Sequence, residues 1–180
     1  VLSGYGPYGG KANLTSALKA FLAKRSGRFI TWSIGGGGQS IDVSNPTGFV
    51  ANLAAIERDL GVTFGGLNWD WESGAFASNA SRVLEISRQL RAARGKDFYI
   101  SWSPNGVYKN DYRSVLTGHA DLVDEISQQY YDSVITYDQA LTETRKYVDL
   151  FGGDRVGTGR AGPGASGSGP APVSQAETAS

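Results

Sequence analysis

Between residues 64 and 73 the chain reads FGGLNWDWES, a run in which apolar and polar side chains alternate from Leu67 to Glu72. Only an extended strand turns that pattern into two unlike faces, because successive side chains of a strand point to opposite sides. Leu67, Trp69 and Trp71 line one face. Asn68, Asp70 and Glu72 line the other, each roughly 6–7 Å from the next. The tryptophan face demands apolar cover, and the opposite face sets two carboxylates and an amide side by side.

The rest of the chain is patterned to supply that cover. Leu14, Ala17, Leu18, Phe21 and Leu22 recur at helical spacing before the strand-like GRFITWSIG. Asn45 and Pro46 form a cap and first-turn pair for a helix marked by Phe49, Leu53, Ile56 and Leu60. After the 64–73 strand, a helix from Ser81 to Arg94 carries Val83, Ile86, Leu90 and Ala93 as its stripe and leads into the strand DFYISWS. An irregular stretch follows, then the strand EISQQYYD, a helix over Ala140 to Phe151, and DRVGTG.

This alternation predicts an α/β fold, a parallel sheet joined by crossover helices. The pattern yields about five strands, whereas a (β/α)8 TIM barrel has eight in typically about 250 residues. The expectation is therefore an open layer or a partial barrel. The last residues are rich in Gly, Ala, Ser and Pro and cannot bury enough to offset their ordering entropy. The expected division is one domain over 1–160 and a loop or tail over 161–180.

Composition narrows the chemistry. Lys plus Arg and Asp plus Glu stand at 17 each, so nothing points to nucleic acid or an acidic membrane as partner. There is no cysteine, which excludes disulfides, thiolate catalysis and Cys-based metal sites. The single histidine, His119, sits among capping and turn residues in LTGHADL and is expected at a loop or helix end. The opening VLSGYGPYGG has neither the charged start nor the apolar centre of a signal peptide. The glycine run SIGGGG lacks the Lys-Ser/Thr of a P-loop and the spacing of a dinucleotide fingerprint, so by itself it reads as a tight turn.

Three blocks in order carry a resemblance. Ser33-Ile34-Gly35-Gly36 ends one strand, Gly65 to Glu72 forms the acidic strand, and QQYYD ends a later one with Gln129, Tyr131 and Asp132. Together they resemble glycoside hydrolase family 18, the chitinase family, whose signature is Asp-Gly-x-Asp-x-Asp-x-Glu. Two of its four acids are kept, as Asp70 and Glu72. Gly65 and Asn68 stand where the other two would be. Ser103-Pro104-Asn105 is a looser analogue of the family's Ala-Pro-Glu/Gln strand end. The likeness runs over roughly residues 28–170, and the family's first one or two strands and its last are missing.

The resemblance implies a secreted, monomeric, cofactor-free and metal-free hydrolase of β-1,4-linked N-acetylglucosamine in chitin or its oligosaccharides, its signal peptide removed. In this family the substrate's own N-acetyl group attacks, in place of a carboxylate nucleophile. Glu72 would be the general acid, Asp70 would stabilise the oxazolinium, and Tyr131 would donate to the acetamido oxygen. Ser33, Gly35, Gly36, Trp102, Gln129 and Asp132 would contact substrate. Trp32, Tyr108 and Tyr130 also lie near strand ends, where sugar rings stack on aromatics. Asn68 is expected to donate to Asp70 without titrating, which would slow the enzyme and shift its pH profile. Alternatives are a chitin-binding lectin, an inactive partial barrel, and an endo-β-N-acetylglucosaminidase acting on N-glycans.

Overall fold

The computed structural model describes residues 11–24, 27–37, 39, 41–130 and 136–159. In chain order the elements are α1 (Lys11–Ala23), β1 (Thr31–Gly37), α2 (Pro46–Leu60), β2 (Gly66–Glu72), α3 (Ala75–Ser78), α4 (Ala80–Arg94), β3 (Tyr99–Trp102), α5 (Lys109–Leu116), β4 (Glu125–Gln129), α6 (Tyr137–Phe151) and β5 (Val156–Gly159). All strand pairs are parallel and the spatial order is β1-β2-β3-β4-β5. Sequence order and spatial order coincide. With crossovers of one hand, an order that never reverses puts every connecting helix on the same face. That is the winding of a barrel, not of a doubly wound sheet with its switch point.

Helix ends follow local chemistry. Asn45 accepts a hydrogen bond from Gly48 N at 2.9 Å with Pro46 at the first position, and Gly61 closes α2 in the left-handed region at φ +68°. Thr136 and Gln139 form a capping box, which starts α6 at Tyr137, earlier than its apolar spacing indicates. In α4, Val83, Ile86 and Leu90 are buried as expected, but Ala93 is exposed. Phe21 of α1 is also exposed, while Leu22 beside it is buried. The stretch read as irregular contains α5, whose Tyr112 and Leu116, one turn apart, are fully buried. His119 caps a short 3-10 turn at Ala120–Leu122, a helix-end place as expected.

The core lies between the sheet and the helices. Trp69 stacks on Phe49 of α2 and on Trp102 of β3, and its indole N–H donates to Ser87 of α4 at 3.0 Å. Trp71 meets Phe76 of α3 edge-on. Two ion pairs tie α4 to its surroundings. Arg91 binds Asp124 at 2.7 Å, whose carboxylate also accepts from Ile100 N. Arg94 binds Glu57 of α2, which also accepts from Phe64 N. Among the described residues no helix is long and apolar enough to cross a membrane.

Candidate active site

Parallel register places the polar side chains of the face opposite the tryptophans in layers. Ser33 pairs with Asn68, Asn68 with Ser101, and Ser101 with Glu125. Toward the C-terminal ends of the strands, Gly35 pairs with Asp70 and Gly37 with Glu72. An isolated bridge joins Asn105 to Gln129, and Gln129 pairs with Gly159 of β5. Asp70 and Glu72 are thus gathered, half-buried, at the end of the sheet where barrel enzymes keep their chemistry.

Each carboxylate has a dedicated amide. Gln129 donates through Nε2 to Asp70 Oδ1, and the same nitrogen donates to Ser103 O at 3.0 Å. Asn105 Nδ2 donates to Glu72 Oε2 at 2.8 Å. Gln129 and Asn105 are themselves buried, so both amides are held by packing. Beneath the strand, Trp71 N donates to the Tyr112 hydroxyl at 2.8 Å. Burial above all, with the charges of Asp70 and Glu72 adding, pushes the Tyr112 phenol well above its ordinary pKa, against the opposing bond to Trp71. Tyr112 is therefore a neutral strut that holds the strand carrying the two acids.

Asn68 departs from expectation. Its Nδ2 donates to Ser101 Oγ and to Ser103 Oγ, both at 2.9 Å, and its Oδ1 accepts from Ser33 Oγ at 2.9 Å. Both amide protons are used sideways along the layer, so Asn68 does not donate to Asp70. Gln129, expected on the substrate, takes that role instead. The reason is geometric: strand neighbours two apart stand about 6–7 Å away, whereas side chains on adjacent strands meet directly.

Trp102 is the clear correction. Its register partner is Trp69, so it lies on the helix face, with no exposure, and its indole N–H donates to Leu122 O at 2.9 Å. It cannot touch a ligand on the opposite face. Trp32 shares that helix face and packs against Phe64, Tyr108 packs against the core, and Tyr130 bonds to Ala140 O and Thr144 of α6.

Of the glycines expected to contact substrate, Gly35 has φ +120° and a Cβ there would stand 2.0 Å from Asp70 O. Gly36 has φ +96° with open space around its would-be Cβ. At Gly65 a Cβ would meet the Phe29 ring at 2.3 Å, but Phe29 is exposed and can swing aside, unlike the backbone that faces Gly35. Tyr131 and Asp132 lie outside the described residues, as does the 161–180 segment.

Three site residues had no role assigned from sequence. Ser101 and Ser103 flank Trp102 in ISWS, and that alternation marks two hydroxyls on one face. Asn105 follows a proline at the strand end, and only its contact with Glu72 shows what it does. Among the described residues, no group of three or more His, Cys, Asp or Glu is placed to hold a metal ion.

No protein-family model matches this sequence, and no curated protein does. Among solved structures, the catalytic domain of a family GH18 chitinase from the fern Peteris ryukyuensis is similar at 18% identity and a TM-score of 0.57, over 79% of this chain and 57% of that one. A family 18 chitinase from Crocus vernus gives 17% and 0.58, over 84% and 59%. A fungal endo-beta-N-acetylglucosaminidase from glycosyl hydrolase family 18 gives 16% and 0.52, over 79% and 54%. The fold is therefore a (β/α) barrel in part: an α/β chain with five parallel strands that spans between 54% and 59% of these neighbours.

Proposed function

We propose that this barrel sector carries the acid side of a retaining glycoside hydrolase site for β-1,4-linked N-acetylglucosamine, in chitin or its oligosaccharides. The observation that carries the reading is the pair Asp70 and Glu72, adjacent on one face at the C-terminal end of a parallel sheet, each met by a buried amide donor.

Glu72 gives its proton to the glycosidic oxygen as the sugar C1–O bond breaks. The substrate's acetamido oxygen closes on C1 to form the oxazolinium, and water later opens it with Glu72 as base. Asp70, whose Oδ1 is engaged by the donor-only Nε2 of Gln129, supplies negative charge beside the positively charged ring. Tyr131 is assigned the acetamido oxygen on the family resemblance. The protein would act outside the cell as a monomer.

A second reading has its own support. Trp32, Trp69, Trp71 and Trp102 all lie on the helix face, so the described part of the site offers no tryptophan on which a sugar ring can stack. That favours weak sugar binding, or a partial barrel without activity.

The test is incubation of the chain, beside Glu72→Gln, with chitin oligosaccharides of four to six units, following product size and anomer at early times. Glu72-dependent release of β-anomers supports the hydrolase. Binding by both proteins without cleavage supports a lectin, and neither binding nor cleavage supports the inactive sector.

A further inference from the structure

The loop leaving β3 is built around Asn105, which is 6% exposed. Its Oδ1 accepts from Val107 N at 3.0 Å and from Tyr108 N at 2.9 Å, an Asx-type turn. Oxygen and nitrogen of an amide are told apart by their partners. Two backbone N–H groups can face only the oxygen, so the nitrogen must face the other way. There it meets Glu72 Oε2 at 2.8 Å, across 33 residues of sequence.

Resting on the reading of Glu72 as the acid, we propose that Asn105 is a positioning residue that makes Oε2 of Glu72 the accepting oxygen and leaves Oε1 to carry the proton. Nδ2 can only donate, so Oε2 must present a lone pair to it in both protonation states. The better acceptor of a neutral carboxyl is its carbonyl oxygen, which puts the hydroxyl on Oε1. When that proton passes to the leaving oxygen, the bond from Asn105 becomes charge-assisted and shorter, which favours the transfer.

The groups around Glu72 pull in both directions. Asp70, on the same strand, disfavours the carboxylate, and Asn105 favours it. Among the described residues, β1 brings Gly37 as register partner and β4 brings the amide of Gln129. From α5 come the neutral Tyr112 and the cation Lys109, whose ammonium donates to Gly106 O in the Asn105 turn.

Asn105→Asp separates the two jobs of this side chain. A carboxylate oxygen still accepts from Val107 and Tyr108, so the turn is kept, but the donor toward Glu72 becomes a second negative charge. The measurement is a carbon-13 titration of the Glu72 side-chain carboxyl, assigned with Glu72→Gln, alongside the pH dependence of kcat and KM on a chitin tetramer. The expected result is a Glu72 titration raised by about one pH unit or more, an alkaline limb of kcat displaced by the same amount, and little change in KM.

In the unsubstituted protein the Asn105 side-chain amide protons should follow the Glu72 titration and lose that response in Glu72→Gln. This second measurement needs no altered loop. An unmoved Glu72 titration in a folded Asn105→Asp, or an Asn105 amide that ignores pH across the Glu72 range, overturns the proposal. A moved titration without any cleavage supports the contact and counts against the hydrolase reading alone.

Discussion

Gly35 and Gly36 are neighbours with the same chemistry and very different surroundings, which makes them a controlled pair. Both hold positive φ, +120° and +96°, so an alanine at either is strained by about 1–3 kcal/mol. At Gly36 the added methyl meets nothing within 4 Å. At Gly35 it lands 2.0 Å from Asp70 O and 2.5 Å from Asp70 C, both backbone atoms that no rotamer change can clear. Clearance requires β1 to separate from β2 by about 1 Å at Asp70, an overpacking cost of about 1–3 kcal/mol or more on top of the strain.

Gly35→Ala is thus expected to lose about 2–6 kcal/mol, a large share of the roughly 5–15 kcal/mol of an ordinary domain. Gly36→Ala loses only the strain. Urea unfolding of both variants measures the difference, with kcat read beside it, because the forced separation falls on the strand that carries Asp70. Equal midpoints for the two variants would refute the steric reasoning. Unchanged stability in both with a raised KM would point instead to the substrate contacts expected from sequence.

Three further outcomes follow from the same geometry. Trp102→Phe should leave KM for chitin oligosaccharides unchanged while costing about 2–4 kcal/mol in urea unfolding, from lost ring volume and an orphaned Leu122 carbonyl; a tenfold rise in KM at unchanged stability contradicts the helix-side placement. Asn68→Asp should fold normally, since Ser33, Ser101 and Ser103 can all turn hydroxyls toward a carboxylate, and should alter the pH–rate curve by adding a charge beside Asp70; superimposable curves sink the idea. Burial, then the Glu125 carboxylate, pushes Tyr99 up to about 12. The unfolded chain loses that proton first, so stability is full below about pH 10 and falls as pH rises to about 12. Urea midpoints at pH 8 and 11 should converge in Tyr99→Phe relative to the unsubstituted chain, and an unchanged slope speaks against it.

Much of this molecule is written in local patterns. The period-two run from Leu67 to Glu72 fixes a strand with tryptophans on one side and acids on the other, and that division stands in the fold. The alternation of strand and helix fixes parallel pairing, and the count of about five strands agrees with the sheet. The α5 helix escaped because its apolar signal is short, Tyr112, Val115 and Leu116 within eight residues that begin with the polar Lys109, Asn110 and Asp111.

Partnerships across the sheet were not legible. Asp70 is served by Gln129, 59 residues away, and Glu72 by Asn105, 33 away, while Asn68 next to them turns to hydroxyls on other strands. Trp102 shows the same division: its pattern places it opposite Ser101 and Ser103, but only pairing with Trp69 puts it on the helix side. Periodicity along one strand determines which side chains share a face. Which of them touch is decided by the register between strands, and that is settled only when the whole apolar face packs at once.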